Sequence, residues 1–189
     1  LLTFAACVPD APSERPAIDA QALAGGVEAP EERATVAVVD LAELTMCSGA
    51  LIAPNLVLTA RHCIAEGGFT NCDASTFGTT MATSDVVVSG LPSVSVPLAA
   101  QSAVVEILVP EDDAYCRNDI ALLVLEAPLA EVTAYVPRVD EPVAEGERYD
   151  AVGYGGLDND FNGIGTRRRL DDMTVRCDGA TCNTSGILD

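Results

Sequence analysis

Along most of the chain, apolar residues come in short runs rich in β-branched side chains, each closed by Gly, Pro, Asn or Asp. The runs fall at residues 34–39, 50–52, 56–59, 85–88, 103–109 and 120–125, and a later one opens at 149–152. Runs of this kind have strand length, and many short strands separated by turn signals predict an all-β sandwich or barrel. No segment carries a sustained helical period. Residues 8–33 are rich in Pro, Ala, Glu and Asp, show no period of either kind, and read as a linker or pro-segment. The stretch from Pro128 to Pro142 is interrupted by polar residues and bounded by proline, which predicts a crossing from one sheet system to a second opening near Tyr149. No internal repeat is present.

Composition narrows the partners. At 189 residues and 49% hydrophobic, the chain is long enough for one sizeable domain or two small ones sharing an interface. It carries 29 acidic and 10 basic residues, a net charge of −19, which repels phosphate backbones and anionic lipid surfaces and excludes nucleic acid as a partner class. All the basic residues are arginine, which reads as compositional bias of the lineage because no local chemistry demands it at scattered sites.

Seven cysteines without a C-x-x-C spacing point to an oxidising compartment rather than a zinc or redox site. The opening residues, Leu1-Leu2-Thr3-Phe4-Ala5-Ala6-Cys7, have the apolar-then-small character of the end of a secretory signal, so residues 1–7 are expected to be a signal-peptide remnant whose start lies upstream. Cys7 also resembles the lipidated cysteine of a bacterial lipobox, which would anchor the protein to a membrane surface; the alternative is an ordinary signal peptide. No other run approaches the ~20 apolar residues that span a bilayer.

The most informative segment is Cys47-Ser48-Gly49-Ala50-Leu51-Ile52-Ala53-Pro54-Asn55-Leu56-Val57-Leu58-Thr59-Ala60-Arg61-His62-Cys63. Two strands joined by a Pro-Asn turn lead to the sole histidine of the chain. A cysteine beside that histidine and another 16 positions earlier (63 minus 47) could close a disulfide, contributing about 3 kcal/mol on the loop-entropy model and fixing the backbone of the histidine. An imidazole held in place is suited to general-base work. The segment resembles the trypsin-like (chymotrypsin-family) serine peptidases, which carry a Cys-Gly-Gly-Ser-Leu-Ile strand, a Val-Leu-Thr-Ala-Ala-His-Cys segment and a disulfide between those two cysteines. Ser48 stands for the usual glycine and Arg61 for the usual alanine. The resemblance implies that His62 is the catalytic base and that Cys47 and Cys63 are bonded.

A second segment, Asn118-Asp119-Ile120-Ala121-Leu122-Leu123-Val124-Leu125, puts a carboxylate at the mouth of an apolar strand, where an imidazole N–H is a suitable donor. It resembles the family motif that holds the catalytic aspartate, so Asp119 is expected to orient His62. The interval of 57 residues (119 minus 62) is long for the family, with the excess expected between Glu66 and Ser84. A third segment, Gly153-Tyr154-Gly155, resembles the Gly-Trp-Gly turn of the second barrel, and Leu23-Ala24-Gly25-Gly26 occupies the place of the family's mature N-terminus, although Ala22 is not a tryptic cleavage residue.

The resemblance implies two antiparallel β-barrels, the first over about 34–127 and an incomplete second over about 135–189, within a peptidase domain of residues 23–189 preceded by a pro-segment or linker at 8–22. With Cys7 set aside, six cysteines allow 15 connectivities; beside Cys47 with Cys63, the expected pairs are Cys177 with Cys182 and Cys72 with Cys116. Asp158 to Gly163 matches half of a calcium loop, but Arg169 stands where a bidentate glutamate is needed, so no metal and no cofactor is expected. Arg167-Arg168-Arg169 reads as a solvated or self-cleaved loop. The family's Gly-Asp-Ser-Gly-Gly motif is absent, and Ser185 lacks its neighbours. The expected activity is therefore that of a secreted or surface-anchored endopeptidase acting on protein or peptide substrates, with its serine beyond residue 189 and the present fragment inactive. The alternative is a non-catalytic homologue that binds a protein.

Overall fold

The computed structural model describes residues 23, 25–68, 74–95, 101–157 and 162–176. Among them are strands β1 (Val27–Glu28), β2 (Thr35–Asp40), β3 (Met46–Ala53), β4 (Leu56–Thr59), β5 (Val86–Ser89), β6 (Gln101–Leu108), β7 (Ala121–Leu125), β8 (Arg148–Gly153) and β9 (Arg168–Thr174), with two single 3-10 turns at Arg61–Cys63 and Thr83–Asp85. The order β2-β3-β4-β7-β6-β5 closes a six-stranded antiparallel barrel through the pairing of β2 with β5, and β1-β9-β8 forms a separate three-stranded antiparallel sheet. The architecture is all-β, as expected, with one closed barrel and a partial second sheet. No helix of the described residues is long and apolar enough to cross a membrane.

Burial explains why some strands alternate and others do not. In β7, Ala121, Leu123 and Leu125 point into the barrel and the residues between them are half-exposed, the period of two expected when one face is covered. Strand β2 is buried at every position. Val36 and Val38 join the barrel core, while Ala37 and Val39 pack outward with Val87, Val94 and Tyr154 into a second cluster. A strand covered on both faces has no polar side to present, which is why residues 34–39 read as an unbroken apolar run. The barrel and the second sheet thus share β2 as a common wall. Residues 126–147 cross between the two without a strand.

Two expectations are corrected here. Arg167 to Arg169 is no solvated loop: Arg168 opens β9, and Arg167 and Arg168 are 1% and 8% exposed. The linker reading of residues 8–33 also fails over its described part, because β1 pairs Val27 with Arg169 and Glu28 with Arg168, and Ala29 is buried. Charge misled the sequence reading in both places. The apolar alternation that reveals other strands is replaced in β9 by arginines whose charge is met inside the protein.

Arg167 shows how. Its Nε donates to the Ala29 carbonyl at 3.0 Å, Nη2 to the Pro30 carbonyl at 2.7 Å, and Nη1 to the carbonyls of Thr35 at 3.0 Å and Gly90 at 3.3 Å and to the Tyr154 hydroxyl at 3.0 Å. The Tyr154 hydroxyl in turn donates to the Leu91 carbonyl at 2.6 Å. One side chain therefore ties the segment after β1, the wall strand β2 and the turn after β5 to the second sheet. Burial pushes the Tyr154 phenol above its ordinary value of 10.0, with the Arg167 guanidinium opposing part of that rise.

Replacing Arg167 with Met keeps much of the volume and leaves these buried carbonyls short of donors; the expected loss is about 2–4 kcal/mol, read from urea unfolding. Because the folded state favours the neutral Tyr154 phenol, stability should also decline as pH rises through 10.0, where the unfolded tyrosine ionises first. Tyr154→Phe should flatten that alkaline decline in the same unfolding series.

Candidate active site

Strand β4 ends at Thr59, opposite Ala121 at the start of β7. Continuing this antiparallel register two residues past Thr59 and two residues before Ala121 brings Arg61 across from Asp119. The chain then tightens into the 3-10 turn Arg61–Cys63, stabilised by the Cys63 N–H donating to the Ala60 carbonyl at 3.2 Å. Cys63 is bonded to Cys47 of β3, with 6.0 Å between their Cα atoms. His62 therefore projects from a short turn held on one side by β4 and on the other by a covalent tie to β3.

Asp119 grips this turn at two points. Its Oδ1 accepts the His62 backbone N–H at 2.9 Å and its Oδ2 lies 2.8 Å from His62 Nδ1. A carboxylate only accepts, so the ring proton sits on Nδ1 and the lone pair on Nε2. The imidazole is 50% exposed and the carboxylate 30%, so the pair lies at a surface that solvent and a ligand can reach. The histidine and aspartate singled out in the sequence are thus brought together. The sulfurs of Cys47 and Cys63 lie close to the ring but are joined to each other, so that grouping offers no metal site.

His62 and Asp119 line a cleft of about 480 Å³ between the barrel and the second sheet. The far wall is the end of β8 with Gly153, Tyr154, Gly155 and Gly156, and Leu23 also lines it, its N–H donating to the Gly156 carbonyl at 3.0 Å. Cys116 is disulfide-bonded. Cys7, Cys72, Cys177, Cys182 and Ser185 lie outside the described residues, as do residues 158–161 of the calcium-loop match.

The family model described as Trypsin matches residues 23–187. The chain belongs to the trypsin family. That family consists of serine peptidases, hydrolases that act on protein substrates. No curated protein matches the chain.

Within this trypsin-family chain, two positions that depart from the usual motifs meet at the wall of the cleft. Ser48, standing for glycine, accepts the Tyr154 N–H on its Oγ at 2.9 Å. Tyr154, standing for tryptophan, is 1% exposed and roots its hydroxyl in the Arg167 network. Gly153 makes the approach possible, because a Cβ there would lie 2.8 Å from Ser48 Oγ. The hydroxyl of Ser48 is thus a hydrogen-bonded spacer between β3 and β8. Sequence reading noted both substitutions and missed their partnership, since 106 residues separate the two.

Gly153→Ala is expected to destabilise the chain by about 1–3 kcal/mol through overpacking. In a Ser48→Gly background the same change should cost clearly less, and a double-mutant cycle by urea unfolding reads the coupling.

Proposed function

We propose that this chain is the histidine- and aspartate-bearing part of a secreted serine endopeptidase. The observation that carries the reading is the two-point contact of Asp119 with the backbone N–H and Nδ1 of His62 at the wall of an open cleft. In this reading Nε2 accepts the proton of a serine hydroxyl as that oxygen attacks the scissile carbonyl. The imidazolium then returns the proton to the leaving amine, while Asp119 holds the ring in the required tautomer and stabilises its charge. Water hydrolyses the resulting acyl-enzyme by the same base. In this reading the serine and the amides that bind the oxyanion lie outside the described residues.

Several further features fit. The Cys47–Cys63 bond and the bonded Cys116 suit an oxidising, extracytoplasmic location, with Cys7 as a lipid-anchoring site or the end of a cleaved signal. Leu23, already against the cleft wall at Gly156, marks where activating cleavage would release a new N-terminus. No cofactor is needed for this chemistry.

The test uses the gene product carried through to its stop codon. It should hydrolyse peptide ester or amide substrates and be labelled by a fluorophosphonate. His62→Ala should abolish turnover, and Asp119→Asn should lower kcat by about 10⁴, the magnitude this family shows when the triad aspartate becomes asparagine. A full-length product that folds, is not labelled and binds an intact protein would instead establish the non-catalytic homologue.

A further inference from the structure

Arg61 is the residue of the His62 turn that the reading above leaves without a task. It is 3% exposed, next to the imidazole, in a barrel whose other fully enclosed side chains are mostly aliphatic. Its guanidinium points along the loop that carries Asp119. Nη1 donates to the carbonyls of Pro110 at 3.3 Å and Asp112 at 2.9 Å, and Nη2 donates to Asp113 Oδ1 at 2.7 Å. The Arg61 Cζ lies 4.6 Å from the Phe77 ring centroid, and Phe77 stacks on Tyr115 with 4.4 Å between centroids. Tyr115 belongs to the same loop and feels the Asp119 carboxylate, which adds to the effect of burial in raising its phenol.

Adjacent residues of one turn therefore hold both ends of one loop. His62 takes Asp119 at the end that enters β7, and Arg61 takes residues 110–113 at the end that leaves β6. Between these grips the loop is irregular, with Arg117 at a φ of 80°, a strained conformation for a residue with a side chain. The Asn118 side chain adds one local brace to the Ala114 carbonyl. We propose that Arg61 is a positioning residue that clamps the 110–119 loop against the histidine turn and so sets the contact of Asp119 with the His62 ring.

The arrangement also carries a local cost. The Nε of Arg61 is buried without a hydrogen-bond partner, a cost that a small apolar side chain at this position would avoid. The salt bridge to Asp113 does not offset it fully, because that carboxylate is 63% exposed and screened by solvent. What the guanidinium provides is geometry: a planar fork reaches two carbonyls and a carboxylate at once, which no other side chain does.

The inference rests on the peptidase reading of His62 and Asp119, and its test separates the two. The ring N–H signal of His62 in the labelled protein is the one that His62→Gln removes. The wild-type chain should show an Nδ1 proton protected from solvent exchange at low temperature, and Asp119→Ala should remove that protection. Arg61→Ala should speed its exchange about tenfold, the loss of one ordinary hydrogen bond's worth of holding, while amides of β4 and β7 keep their protection. Should Arg61→Ala fail to fold, Arg61→Lys takes its place. A lysine has one nitrogen on a shorter stem and cannot stand at the positions of both Nη1 and Nη2, so the same acceleration is expected. Exchange within about twofold of wild type in whichever variant folds would overturn the positioning role and leave the peptidase reading intact. Absence of a protected Nδ1 proton in the wild type would overturn both.

Discussion

The pairing of β4 with β7 is the constraint on which the site depends. One strand delivers the histidine turn and the other receives the aspartate loop, and their antiparallel register, Thr59 against Ala121, sets how far past the strand ends His62 and Asp119 meet. A slip of one residue between them would turn the apolar face of one strand outward, exposing either Val57 or Leu123, each of which is fully buried. The hydrophobic core thus enforces the register, and the register places the polar pair. The Cys47–Cys63 bond adds a second, covalent restraint from β3 to the far end of the same turn.

The second sheet is joined to this barrel by polar groups as well as by the apolar cluster around Tyr154. Arg167 reaches four carbonyls on three segments, Ser48 meets the Tyr154 N–H, and Tyr154 reaches back to the Leu91 carbonyl. Each bond is modest after exchange with water, but those of Arg167 with Ala29, Thr35 and Tyr154 are buried, so leaving one of these unpaired costs more than making it contributes. Such a junction tolerates coordinated change better than single change. Ser48, Tyr154 and Gly153 form one such set, in which the hydroxyl fills the space that a missing Cβ leaves open.

Arginine takes on meaning in this setting that composition alone does not convey. In a chain of net charge −19, Arg61 and Arg167 lie almost fully inside the protein, at 3% and 1% exposure. Both direct their forks mainly at backbone carbonyls. A third, Arg169, stands partly exposed between Glu32 and Asp171 on the second sheet. Lysine would offer one ammonium where each of the buried sites uses several donors in a plane. The absence of lysine, read as lineage bias, therefore coincides with structural use of the guanidinium at these positions.

From the residues alone, the barrel strands were visible wherever one or both faces meet the core, because apolar spacing is a direct record of burial. Residues 56–59 match β4 and residues 120–125 nearly match β7 for that reason. His62 and Asp119 stood out because each closes or opens such a run within a motif of fixed order. Strand β9 was hidden because its inward positions carry charge, and β1 because two residues are too few to show a period. What tertiary structure alone decided is which polar groups find one another: Arg61 with the 110–113 loop, Ser48 with Tyr154, and Arg167 with carbonyls as far as 138 positions away. Hydrophobic burial leaves a periodic trace along the chain, whereas a buried polar group is defined by its partner, and that partner is set by the folded geometry rather than by sequence distance.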